Sequence, residues 1–161
     1  MRKKKGFTLV ELMIFMGMFS ILLVVFSQIF GQIVDTRLES ESHSSVVQDG
    51  NYLLNRLMYD IVIASGINLP ATVGSSDTNL NITVAGEDHI YSLSGDNLVL
   101  IINSDVYQLN SVNTTISNLN FQRIGNDDGK DTIRYSYTVT SKIERPAGPE
   151  SQDYQTTVGL R

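Results

Sequence analysis

The hydrophobic positions of this 161-residue chain change period twice. Residues 7–26 are apolar almost without interruption, and Glu11 is their only ionisable side chain. With no polar stripe, the run predicts a helix about 20 residues long that is apolar all round, enough to cross roughly 30 Å of hydrocarbon. Ile29, Phe30, Ile33, Val34 and Leu38 continue the helical spacing. Residues 39–45 are polar all round and predict an exposed neck. Val46, Val47, Gly50, Leu53, Leu54, Leu57, Met58, Ile61 and Val62 then recur at steps of three and four, one apolar face of an amphipathic helix. Proline is absent before Pro70, and Gly66 with Pro70 supplies a stop. The pattern therefore predicts one helix from about Thr8 to Ser65, some 85 Å long.

Beyond residue 67 the period becomes two. Residues 80–84, 89–93, 98–102, 105–109, 118–122, 133–139 and 154–160 read as strands. Gly95-Asp96 and Asn103-Ser104 are turn signals between neighbours, which predicts a meander of hairpins. Residues 70–79 and 145–153 read as loops. The amphipathic half-helix laid over an antiparallel sheet gives an α+β head, with Leu93, Leu98 or Val99, Phe121, Tyr135, Tyr137 and Val158 inward. The expected organisation is 1–6 as a leader, 7–67 as the helix, membrane-spanning over about 7–28, and 68–161 as the head.

Charge changes the picture at both ends. The chain has 12 basic and 17 acidic residues, net −5, but Arg2, Lys3, Lys4 and Lys5 all precede Gly6. Without them eight basic residues face 17 acidic ones, or −9. An acidic head argues against nucleic acid as a direct partner, because such affinity comes from Lys and Arg on phosphates. The basic block marks its flank of the membrane helix as cytoplasmic and places the head outside. A secretory signal would show a small-x-small cleavage site after the apolar run. Here the small residue, Gly6, comes before it.

Lys5-Gly6-Phe7-Thr8-Leu9-Val10-Glu11-Leu12 resembles the prepilin cleavage and methylation motif of type IV pilins and type II secretion pseudopilins. The resemblance implies the pilin fold, cleavage between Gly6 and Phe7 by a prepilin peptidase, and N-methylation of Phe7. It also implies assembly of the apolar helix into a filament with other pilin or pseudopilin subunits at a membrane platform. The new α-amine of Phe7 would lie four residues from Glu11, on one helix face. A charge inside a membrane helix costs on the order of 3 kcal/mol, so Glu11 is expected to have a cationic partner. The Phe7 amine can supply one within the chain, or a neighbouring subunit's amine can if the helices stagger; the resemblance favours the second, with the pair setting register. Residues 52–64 are similar to the second half-helix of J-type minor pseudopilins and minor pilins. Many major pilins carry a proline in the apolar helix and a cysteine pair; neither is present here.

Other chemistry is sparse. With no cysteine there is no disulfide or thiolate. Asp127, Asp128 and Asp131 are weak calcium candidates in a stretch that also reads as a turn. His43 and His89 read as solvated. Asn81-Ile82-Thr83 and Asn113-Thr114-Thr115 match a glycosylation triplet that arises often by chance. No nucleophile elbow, phosphate loop or zinc-helix motif occurs, so no enzyme is expected. The expected function is a structural subunit of a type IV filament or of a secretion or DNA-uptake pseudopilus. The alternative is a membrane-anchored binding module that does not polymerise.

Overall fold

The computed structural model describes residues 6, 8–125 and 129–161. Among the described residues one helix, α1 (Leu9–Ile63), is followed by nine strands: β1 (Gly66–Leu69), β2 (Ser76–Asp77), β3 (Leu80–Val84), β4 (Glu87–Ser94), β5 (Asn97–Ile102), β6 (Asp105–Gln108), β7 (Thr114–Ile124), β8 (Thr132–Ser141) and β9 (Ser151–Gly159). This is the α+β architecture that the change of period predicts, and it is pilin-like, as the resemblance of the N-terminal motif implies. The chain divides into two units, Met1–Glu39 and Ser40–Arg161, and α1 contributes to both.

In the first unit the helix is apolar on every side and buries none of its membrane-length window. In the second unit Ser42, Val46, Gly50, Leu53, Leu57, Asp60 and Ile61 are buried. Their steps of three and four residues put them on one face. The helix stops earlier than expected. Gly66 begins a strand, and the backbone N–H of Ser65 already donates to Thr83 O at 2.8 Å. The backbone N–H of Arg161 reaches the carbonyl of Val62, so the chain end meets one of the last helical turns.

The head holds two antiparallel sheets, where a single one was expected. One has the order β1-β3-β4-β5-β6 and the other β2-β7-β8-β9. The meander of β3 to β6 follows the predicted turns at residues 95–96 and 103–104. Asn103 and Ser104 both have positive φ, which a tight hairpin with right-handed strand twist requires. Period two identifies strands but not partners, so the return of β7 to β2 rather than to β6 had no local signal. The second sheet also recruits residues read as loop, Ser76–Asp77 and the start of β9 at Ser151.

Core residues from the helix (Val46, Leu53, Leu57, Ile61) and from both sheets (Leu80, Ile82, Leu98, Phe121, Ile133, Tyr135) form one cluster. Of the expected inward residues, Leu93 is only half-buried, while both Leu98 and Val99 are buried.

Candidate assembly site

Thr8 caps the apolar helix. Its hydroxyl accepts from the backbone N–H of Glu11 at 3.2 Å, and its carbonyl accepts from Leu12 N at 3.2 Å. Thr8 and Glu11 thus stand at the N-cap and N3 positions, the spacing of a capping box. A carboxylate in the first turn is favoured by the partial positive charge of the helix N-terminus, by about 0.3–1 kcal/mol. Glu11 is therefore held at the helix end by local chemistry. Glu11 and Gly6 are both exposed, and Phe7 lies outside the described residues. Leu9, Met13, Ile14, Phe15, Met16, Met18 and Ile21 are each 58–75 % exposed. An apolar surface of that extent requires lipid or other apolar helices around it.

In the second unit the helix is fastened by tyrosines. Tyr154, Tyr137 and Tyr135 donate to the carbonyls of Val46 (3.2 Å), Gly50 (2.8 Å) and Leu54 (2.9 Å). Those carbonyls recur every four residues, a rise of about 6 Å. The ring spacing matches, with centroids 5.5 Å apart for Tyr137–Tyr154 and 6.4 Å for Tyr135–Tyr137, both pairs stacked. Phe121 extends the row at 6.3 Å from Tyr135. Burial raises the pKa of all three phenols. The row demands a bare backbone at Gly50, where an added Cβ would fall within the Tyr154 ring.

Asp60 is the second attachment, and neither periodicity nor motif pointed to it. It is 1 % exposed and lies on the core face of α1. One carboxylate oxygen accepts from the Tyr91 hydroxyl and lies 3.2 Å from His89 Nδ1 and 3.3 Å from an Arg56 terminal nitrogen. Burial, reinforced by the hydrogen bond to Asp60, pushes the Tyr91 phenol up. His89, read as solvated, is buried. The available signal was a charged residue three positions after Leu57 in an otherwise apolar stripe, with His89 and Tyr91 two apart on one strand face. Asp49 makes a third attachment, accepting from Ser111 N at 2.8 Å and from the Thr114 hydroxyl.

The neck expected at residues 39–45 belongs to the head from Ser40 onward. Ser42 is fully buried, and His43 Nδ1 lies 3.2 Å from Glu150, whose other oxygen pairs with Arg145 at 2.8 Å. A small hydroxyl can be covered without a hydrophobic face of its own, which the polarity of the stretch concealed. Asp131 is held by Arg123 through two charge-assisted bonds of 2.9 and 2.8 Å. Arg123 also donates to the carbonyls of Ile67, Pro70 and Ala71. The carboxylate of Asp131 thus ties a loop in place, while Asp127 and Asp128 lie outside the described residues. Among the described residues no group of three or more His, Cys, Asp or Glu side chains is placed to hold a metal ion.

Residues 1–27 match the family model of the prokaryotic N-terminal methylation motif. No curated protein and no solved structure matches the chain.

Proposed function

We propose that this chain is a precursor of the type IV pilin and pseudopilin kind and a structural subunit of an assembled filament, a reading supported by the methylation motif and the helix-and-sheet architecture. The observation that carries the reading is an apolar helix surface that none of the described residues covers, directly behind a methylation motif. Lipid covers that surface before assembly, and sister helices cover it afterwards. The basic block keeps the N-terminus cytoplasmic, and the acidic head lies outside. Prepilin peptidase cuts between Gly6 and Phe7 and the new amine is methylated. Glu11 then meets the cationic terminus of a neighbouring subunit as the helices stagger. A minor position in the filament is favoured by the unbroken helix and by the likeness of residues 52–64 to J-type subunits.

Glu11→Val tests the assembly step. The variant should insert in the membrane and be cleaved like the wild type, yet enter filaments poorly, measured as the fraction of chain in sheared filaments. Undiminished incorporation would remove the register role from Glu11.

A further inference from the structure

The outward face of the sheet β2-β7-β8-β9 is unusual in what it omits. Its central rungs are set by the strand register: Ser117↔Thr138↔Asp153, then Asn120↔Ser136↔Gln155. Thr115↔Thr140↔Ser151 flanks them on one side and Gln122↔Arg134↔Thr157 on the other. These positions include no apolar side chain, no lysine and no glutamate, and Arg134 and Asp153 cancel. The rest of the chain is acidic, so this neutral face stands apart from its surroundings.

The face is also not flat. Between Ser117 and Asn120 the register slips, and Asn118 takes φ 53. Such a bulge re-aims a side chain. Here it opens a cleft of about 440 Å³ lined by Asn118, Ser136, Thr138, Asp153 and Gln155, with the strands at Tyr137 and Tyr154 beneath and their rings turned to the helix side of the sheet. The lining is pre-arranged. Asn118 Nδ2 donates to the Thr138 hydroxyl at 3.1 Å, and that hydroxyl donates to Asp153 Oδ1 at 2.6 Å. The chain of donors fixes the carboxylate and polarises it. Asp153 thus shares the cleft with amide and hydroxyl groups that can both give and accept.

We propose that this cleft is a subsite for a neutral, polyhydroxylated ligand, a segment of glycan chain. A pair of vicinal hydroxyls needs one strong acceptor and adjacent amide donors, and Asp153 with Asn118 and Gln155 supplies that set. An anionic ligand would meet the Asp153 carboxylate, and one carboxylate is too few for a bare divalent cation. The neutral rungs extend along β8 from Arg134 to Thr140, about 20 Å at 3.4 Å per residue, which suits a chain better than a single sugar. No aromatic ring lies flat on the face, so one head binds weakly. Repetition of heads would raise the avidity, but the subsite itself does not depend on polymerisation.

The test uses the full-length chain in detergent, with cellulose, chitin and starch granules as neutral probes. Carboxymethyl- and diethylaminoethyl-cellulose are the charged counterparts. The wild type should be retained on at least one neutral polysaccharide and resist sodium chloride at about 0.5 M, where ionic contacts are screened. The soluble oligosaccharide of the same type should release it. Asp153→Ala and Gln155→Ala should each weaken retention by about tenfold, with thermal unfolding unchanged because both side chains are exposed. Thr138→Val should weaken it less, through Asp153 orientation. No retention on any of the three neutral probes overturns the proposal. So does retention only on the charged resins, or equal retention of the alanine variants and the wild type.

Discussion

Gly50 is bare because Tyr154 fills the space where its side chain would stand. Gly50→Ala should force that ring off its stack on Tyr137 and off the Val46 carbonyl. Overpacking of this kind costs about 1–3 kcal/mol, whereas alanine at an open helical site gains up to about 1 kcal/mol over glycine. Thermal denaturation of the full chain should therefore show a lower midpoint, and a raised one would contradict the tight contact. Asp60→Ala should be worse, by roughly 3 kcal/mol, since it strands the buried His89 and Tyr91 and takes the partner from the partly exposed Arg56. A double-mutant cycle with Tyr91→Phe should show coupling between the two positions, and strict additivity would refute the shared site. At this scale the sequence spoke unevenly. The methylation motif of residues 1–27 was legible because such a motif fixes its own spacing. Asp60 was not, because a carboxylate in a helix reads as solvent-facing unless its partners, 29 and 31 residues away, are known.

At the level of elements, the loop between β8 and β9 is clipped to the helix by Glu150. Its carboxyl is held below the ordinary carboxylate range first by the hydrogen bond to His43 and then by the charge of Arg145, with burial opposing both. Because the folded-state value is depressed, the clip stabilises the head above that ordinary range and is lost as pH falls through the depressed value. Amide exchange at residues 142–150 should accelerate in that acid window, and Glu150→Gln should abolish the pH step. An unchanged step in the variant would assign the effect elsewhere. The buried tyrosines give the opposite sign. With Tyr91, Tyr135, Tyr137 and Tyr154 raised, the folded head is unaffected below the ordinary phenol value and loses stability as pH climbs beyond it. Part of the phenolate absorbance should thus appear only together with loss of strand signal. Smooth, complete ionisation before unfolding would contradict the tyrosine row. The helix and most strands were readable here, since periods of 3.6 and 2 are local properties. The division into two sheets was not. It depends on which strand returns to which, and on short segments such as Ser76–Asp77 that gain strand geometry only from a partner.

For the whole molecule, the two units make opposite demands. The first unit is an apolar helix that needs company, and the second is a closed core that does not. That contrast, read with the methylation motif, is what supports a filament subunit. Membership of a filament depends on a first chemical step, removal of the leader. The full chain should be co-expressed with a prepilin peptidase and its intact mass measured beside that of Gly6→Val. The wild type should lose residues 1–6 and gain one methyl group on the new N-terminus, Phe7, while Gly6→Val keeps its leader. A wild-type chain that retains its first six residues, or loses residues at another point, would contradict it.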